Sequence, residues 1–258
     1  MNTLSANMTR RRAQSGFTLV ELMVTVAIAL FLLGGLLTIV QNVRSTQTNQ
    51  QLLAQLQDQQ RFAMTVLTDV IQSGGYYPDP LNETPLQALP AAGAFPQGQA
   101  FIGQHPDPAN AQTDSLGVRY TTAINDGVIL CDGSTNIAFV TNSYQNLFRV
   151  IPAAGNVPGQ LQCSLDGGAT YRTLVNGVVS LTIYYGVKRQ ASNDYNVDTY
   201  VTADQMNPAG PNGNDWANVS SVRIVLTFTN PMAGQPGQQP TITFDRVVEV
   251  MGRAGVHT

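Results

Sequence analysis

The sequence predicts an α+β protein in which one long N-terminal α-helix packs on a C-terminal antiparallel β-sheet body. Residues 17–73 contain no proline and combine a continuous apolar stretch with a helical periodicity. From residue 116 onward, short segments rich in β-branched and aromatic residues follow one another between turn residues. Because no helical pattern separates these segments, we expect the strands to pair antiparallel.

The first half of the helix, residues 17–40, is predicted to cross a membrane. These 24 residues contain a single charged side chain, Glu21. As a helix they would extend about 36 Å, which exceeds a hydrocarbon core of about 30 Å. Three arginines, Arg10, Arg11 and Arg12, precede the stretch. The positive-inside rule therefore places the N-terminus in the cytoplasm and the following body outside.

Glu21 is the anomaly of this segment, because a carboxylate at mid-helix costs about 2.5–3.5 kcal/mol on insertion scales. It lies only four residues beyond Phe17, so its side chain could extend to the cytoplasmic headgroups. The alternative is a functional partner within an assembly. The residues alone leave both interpretations open.

Residues 1–16 are interpreted as a leader that does not belong to the fold. An ordinary secretory signal fits badly, because the apolar stretch is too long and no Ala-x-Ala site ends it. An uncleaved signal anchor is the alternative.

The second half of the helix, residues 41–73, is predicted to be amphipathic and to end at Gly74-Gly75. Gly34-Gly35 in the first half indicates either a local weakening of the helix or a site of close helix packing. The apolar stripe that should face the sheet consists of Leu52, Leu56, Ala63, Val66, Leu67, Val70 and Ile71.

Residues 74–115 hold seven prolines and are predicted to form a long connecting loop before the β-rich body, residues 116–258. In the last strand we expect Ile242 and Phe244 to face inward, with a bulge at Val247-Val248. The expected strands are Leu116–Thr121, Val128–Cys131, Ile137–Thr141, Phe148–Ile151, Gln160–Ser164, Val178–Val187, Val219–Thr229 and Thr241–Val250.

Composition argues against nucleic-acid binding and supplies little for catalysis. The formal net charge is −3, and removal of the leader with its three arginines makes it −6, which gives no basic surface for nucleic acid. Phosphate-cradling loops and a Gly-x-Ser-x-Gly motif are absent from the sequence. We therefore expect no enzymatic activity and no cofactor.

Cys131 and Cys163 are the only cysteines. In an oxidising compartment they should form a disulfide, and two unpaired buried thiols are the alternative. Metal binding is poorly supported, since His105 and His257 lie far from them in sequence.

An Asp- and Asn-rich stretch at residues 194–215 could hold calcium, but its spacing misses the EF-hand loop and turns are favoured. Its acids are Asp194, Asp198, Asp204 and Asp215. Trp216 is interpreted as a core or interface aromatic residue.

The segment Gly16-Phe17-Thr18-Leu19-Val20-Glu21-Leu22, after a short basic leader, resembles the class III signal of type IV pilins and type II secretion pseudopilins. The resemblance implies cleavage by a prepilin peptidase after Gly16 and N-methylation of Phe17. It also implies that Glu21 pairs with the amino terminus of a neighbouring subunit, and it places the 74–115 loop at subunit contacts.

A second resemblance, to the C-terminal region of PilW-type minor pilins, lies in Tyr184–Val187, Tyr195–Val201, Trp216, Val222–Ile224 and Phe244–Val248. It implies a low-abundance subunit at or near the pilus tip that supports pilus biogenesis, twitching motility and adhesion. Expected partners are other minor pilins, the major pilin, a PilY-type tip adhesin and the inner-membrane assembly platform.

Two alternatives stay open at this point. A J-type minor pseudopilin of a type II secretion system would share the signal, the anchor and a large body. A signal-anchored periplasmic enzyme or binding protein is the more remote alternative. It would keep its N-terminus intact.

Overall fold

The structure is a computed structural model that describes residues 16, 18–106, 113–190, 197–209 and 214–253. The chain divides into two compact units, residues 1–51 and 52–258. Helix α1, Leu19–Gln72, begins in the first unit and ends in the second. It runs through Gly34-Gly35 without a break, so this glycine pair does not interrupt the helix.

Among the described residues of the second unit, nine strands form two antiparallel sheets rather than the single sheet we expected. The five-stranded sheet has the order β1-β2-β3-β4-β5, and the four-stranded sheet has the order β7-β6-β8-β9. The α+β class with antiparallel strands is confirmed. The strands are β1 Phe101–Gln104, β2 Ser115–Thr122, β3 Asn142–Ile151, β4 Gln160–Ser164, β5 Arg172–Asn176, β6 Val178–Val187, β7 Thr199–Val201, β8 Ser221–Thr229 and β9 Thr241–Glu249.

The second part of α1 contributes one face to the core of this unit. Of the predicted stripe, Leu52 is exposed and Val66 is half-buried, whereas Met64 is buried although it was not predicted. Helical spacing brings the buried residues onto one face, and burying such a face supplies most of a helix's stability in a folded protein. The buried residues of α1 are Leu56, Ala63, Met64, Leu67, Val70 and Ile71.

Strand β8 lies between β6 and β9 and alternates as its sequence predicts, because Val222, Ile224, Leu226 and Phe228 are all fully buried. Ile242 and Phe244 of β9 are partly buried and pack against the same core. The pairing of β8 with β9 is continuous from Thr229–Thr241 to Ser221–Glu249. The bulge predicted at Val247-Val248 is therefore wrong.

Asp114, just before β2, links the two sheets. Its backbone N–H donates to the carbonyl of Leu181 in β6 at 3.0 Å, and its carboxylate Oδ2 accepts from the N–H of Ile183 at 2.7 Å. Oδ1 accepts from His105 Nδ1 at 2.7 Å. Burial raises the pKa of Asp114, and the hydrogen bonds from Ile183 and His105 partly offset that effect.

The Asn176-Gly177 pair forms the connection from β5 to β6, and so from one sheet to the other. Gly177 has a φ of +81°, a region that favours glycine. Its N–H donates to the carbonyl of Gly159 at 2.7 Å, and its own carbonyl accepts from Thr229. An Asn-Gly pair favours a turn of this kind, and β6 has the predicted bounds.

The strands predicted at residues 128–131 and 137–141 are wrong. Side chains, rather than a neighbouring strand, form hydrogen bonds to the backbone there. Within 128–131 only Ile129 forms a bridge, to Thr135, and the N–H of Cys131 donates to Asn146 Oδ1 at 2.9 Å. Residues 137–141 contain no strand, because the Asn136 side chain bonds to the backbone of both Ala138 and Val140.

The 74–115 segment is more ordered than a plain loop. It contains the short helix α2, Pro85–Ala88, and strand β1. Its backbone is fastened to β2 by Arg119, which is fully buried. The guanidinium donates to the carbonyls of Leu89, Pro90, Pro96 and Gln99 at 2.5–3.3 Å.

Candidate functional site

The N-terminal segment begins with a capped helix. Thr18 precedes α1, its carbonyl accepts from the N–H of Leu22 at 3.1 Å, and its hydroxyl accepts from the N–H of Glu21 at 3.3 Å. Thr18-Leu19-Val20-Glu21 has the Thr-x-x-Glu spacing of a capping box. Glu21 therefore occupies the first turn, where a carboxylate is favoured by the positive end of the helix dipole. Gly16 is exposed, and Phe17 lies outside the described residues.

The helix surface of the first unit has no covering. Within residues 19–51, all described, no residue is buried, and each of the large apolar side chains is exposed. Of the described helices, α1 alone is long and apolar enough to cross a membrane. An exposed apolar surface of this extent indicates burial in lipid or among other helices.

The polar side chains of the apolar stretch suit such burial. The Thr25 hydroxyl donates to the carbonyl of Leu22 at 2.9 Å, and the Thr38 hydroxyl donates to that of Gly34 at 3.0 Å. Since both bonds lie within the helix, neither hydroxyl needs an outside partner in lipid. A Cβ added at Gly34 or Gly35 would meet no atom beyond the helix's own backbone within 4 Å, so this face is open to the close approach of another helix.

The globular body is closed by a disulfide between Cys131 and Cys163, whose Cα atoms are 6.3 Å apart. Both residues are buried. The bond ties the loop after β2 to strand β4 across 32 residues of sequence. A loop of this length gives a stabilisation of about 3–4 kcal/mol in the chain-entropy account.

The acids considered for calcium are engaged in protein hydrogen bonds. Asp215 is buried and accepts from the Arg189 guanidinium at 2.7 Å. Asp198 accepts from the N–H of Arg189, and Asp204 accepts from the Thr202 hydroxyl at 2.5 Å. Among the described residues, no group of three or more His, Cys, Asp or Glu is placed to hold a metal ion. Asp194, like His257, lies outside that part of the chain.

Trp216 is half-buried and forms an edge contact with Tyr185, with ring centroids 4.9 Å apart. Tyr185 is fully buried, and burial raises the pKa of its phenol. Both aromatic residues belong to the core of the body or its border. The His105 side chain is hydrogen-bonded to the carboxylate of Asp114.

Sequence reasoning missed two features of the body. Arg119 was not singled out, although an arginine inside a predicted apolar strand is the signal that could have found it. Strands β1, β5 and β7 were also missed, since they have only three to five residues each and little alternation.

Comparisons with known proteins agree with this geometry. Residues 11–37 match the family model of the prokaryotic N-terminal methylation motif. Residues 140–250, most of the body from β3 to β9, match the model of PilW, the type IV pilus-assembly protein W. The first match supports a pilin-type subunit made with a class III signal. Together with the PilW match, it supports a PilW-type minor pilin of a type IV pilus.

A solved structure of a type IV-like pilin from Thermus thermophilus is similar over 77% of this chain and 98% of that one, at 14% identity and a TM-score of 0.38. A score this low supports no argument about function. Among curated proteins, none matches the chain at a significant level. The two family matches describe a structural pilus component rather than an enzyme.

Proposed function

We propose that this PilW-type pilin helps to initiate pilus assembly and sits at or near the pilus tip, where it supports twitching motility and adhesion. The observation that carries the proposal is the uncovered apolar part of α1, residues 19–40, joined in one chain to a PilW domain. A helix of this kind can be held by lipid and then transferred to the helices of neighbouring subunits, because both surroundings accept an apolar surface.

The proposed maturation uses the first turn of α1. A prepilin peptidase removes residues 1–16 by cleavage after Gly16, and the new N-terminal Phe17 is methylated. The subunit waits in the inner membrane as a single-pass protein with its body in the periplasm. The inner-membrane assembly platform then extracts it into the growing filament.

Glu21 is proposed to set the register of assembly by pairing with the amino terminus of a neighbouring subunit. A buried carboxylate is tolerated when an opposite charge and hydrogen bonds accompany it. Its place in the first helical turn, two residues into α1, keeps the carboxylate near the N-terminal end of the helix. The disulfide-closed body would supply the lateral fit.

The proposed partners are other minor pilins, the major pilin and a PilY-type tip adhesin. The second candidate is a J-type minor pseudopilin of a type II secretion system, since the methylation motif does not separate the two filaments. The PilW match favours the pilus.

The test is a deletion of the gene, complemented with wild type, with surface pili, twitching and secretion of extracellular hydrolases scored side by side. We expect lost piliation with normal secretion. Lost secretion with normal pili would transfer the protein to the secretion pseudopilus. Unchanged pili and unchanged secretion would contradict a role in either filament.

A further inference from the structure

Three large apolar side chains project into solvent from one loop of the body. Ile137, Phe139 and Val140 are 78%, 94% and 61% exposed, and together they are called the apolar tip. A phenylalanine exposed to this degree gains nothing from the fold of its own chain. The apolar tip therefore stands apart from the scattered exposed apolar residues that any protein surface carries.

The loop that carries the apolar tip is fixed by Asn136, which is buried. Its Nδ2 donates to the carbonyls of Thr122 and Val140 at 2.8 and 3.1 Å. Its Oδ1 accepts from the N–H of Ala138 at 2.9 Å and from the Tyr144 hydroxyl at 3.2 Å. Because these bonds hold the backbone on both sides of Phe139, a partner would pay little to order the loop on binding.

Hydrogen bonds connect the loop that carries the apolar tip, through the end of β2, to the segment that follows α1. Asn136 is bonded to Thr122 at the end of β2, and the neighbouring N–H of Thr121 donates to the carbonyl of Tyr76 at 2.8 Å. Tyr76 follows the last residue of α1, Gln72, by four positions. About 20 residues of helix, or roughly 30 Å, separate this end from Leu52, where the second unit begins.

The chemistry around the apolar tip favours a protein pocket over a lipid surface. Residues 133–148 contain no charged side chain. Segments that bind membrane surfaces combine apolar residues with lysines and arginines that attract anionic headgroups. An exposed, uncharged aromatic residue with apolar neighbours instead has the character of an anchor that fills an apolar pocket.

The size of the apolar tip indicates how its partner is held. Stable protein interfaces bury about 1,200–2,000 Å² in total, far more than three side chains can supply. The apolar tip must therefore act inside a larger assembly, where a partner kept close by other contacts has a high effective concentration. Neighbouring subunits of one filament meet this condition.

We propose that the apolar tip inserts into an apolar pocket on the body of an adjacent pilin-type subunit in the same filament. This inference rests on the proposed function and names one lateral contact within it. Phe139 is the anchor that enters the pocket, and Ile137 and Val140 exclude water around it.

The first test is photocrosslinking in intact piliated cells, with benzoylphenylalanine in place of Phe139 in the full-length chain. We expect an adduct whose peptides identify a pilin-type subunit. An adduct with phospholipid only, or with proteins that are not pilin-type subunits, would overturn the proposal.

The second test moves the photoreactive residue to Thr141, so that Phe139 can be varied. Phe139→Ala should weaken the contact about 30-fold, the equivalent of a hot spot of about 2 kcal/mol, and the adduct should fall accordingly. Val140→Ala should lower its yield more than the matched change Val157→Ala, since Val157 is 56% exposed and lies in the β3–β4 connection. Equal yields from all variants would refute the contact.

Failure of this inference can be told apart from failure of the proposed function. All three substitutions are at exposed sites, so the thermal unfolding of each variant should match wild type. If deletion of the gene abolishes pili and Phe139→Ala restores them fully, the apolar tip is dispensable and the pilus role stands. If the deletion itself leaves pili and secretion unchanged, the proposed function fails first.

Discussion

Arg119 is predicted to hold the connecting segment 85–100 against the sheet, and Arg119→Met tests this role. The side chain is fully buried, and burial lowers the pKa of its guanidinium. It also lies 5.1 Å from the centroid of the Phe95 ring. Methionine keeps an unbranched apolar stem but cannot donate hydrogen bonds.

The expected loss of stability follows from the carbonyls that Arg119 leaves behind. The carbonyls of Leu89 and Pro96 keep backbone donors, from the N–H groups of Gly98 at 2.8 Å and Gln99 at 3.2 Å. The carbonyls of Pro90 and Gln99 lose the guanidinium. At about 1–3 kcal/mol for each buried unsatisfied group, the free energy of unfolding should fall by about 2–6 kcal/mol. A loss in the lower half of this range is expected, because the hydrogen bond to the Pro90 carbonyl is only partly buried.

The assay is urea unfolding of the full-length protein in detergent, combined with amide hydrogen exchange. Exchange should accelerate most in residues 85–100, because they lose their attachment to β2. Arg149→Met is the matched control, since Arg149 bonds to the Gln162 side chain and stacks on Tyr171 at a partly buried site. If both variants unfolded at the same urea concentration and exchange in 85–100 were unchanged, the role assigned to Arg119 would be refuted.

Three further predictions concern the disulfide, an exposed acid and the carboxylate of Glu21. Replacing Cys131 and Cys163 together by serine should lower the unfolding free energy by about 3–4 kcal/mol, and a reductant should then have no further effect on urea unfolding. Hydrogen bonds from Ser164 and Thr170 hold the pKa of Asp166 well below its usual range. The stabilising contribution of its carboxylate is therefore present above pH 3.8 and declines as the pH falls below that value. Asp166→Asn should flatten this part of the stability–pH profile, and an unchanged profile would contradict the assignment. Glu21→Ala should abolish or strongly reduce surface pili while membrane insertion persists, because the apolar stretch around it is unchanged. Normal piliation would show that Glu21 does not set the register.

The sequence predicts well those parts of the fold that depend on local pattern. The limits of α1 follow from an uninterrupted helical stretch and the glycines after it. Strand β8 follows from strict alternation, and β6 follows from the Asn176-Gly177 turn. Each of these elements follows from a local signal, either a periodicity or a turn residue, so few alternative structures compete with it.

The features that the sequence missed depend on contacts distant in the chain. Asn136 removes the backbone of 137–141 from any sheet, and no local pattern distinguishes that stretch from a strand. Arg119 acquires its partners from residues about 20–30 positions earlier in the chain. The division of the nine described strands into two sheets also depends on tertiary contacts. Asp114 links the two sheets through hydrogen bonds that no local sequence pattern predicts.

The candidate site divides in the same way. The class III signal can be read directly from the sequence, because its motif is a short local segment, and the roles of Gly16, Phe17 and Glu21 stay predictions. The apolar tip could not be read, since Ile137, Phe139 and Val140 resemble the inward residues of a strand until the structure exposes them.

The most direct test of the central claim is the mass of the N-terminal peptide of the mature protein, isolated from membranes and from sheared pili. A processed pilin subunit predicts a peptide that begins at Phe17 and carries one methyl group, in both fractions. A peptide that still contains residues before Phe17, in a protein confined to the membrane fraction, would contradict the account and favour an uncleaved signal anchor.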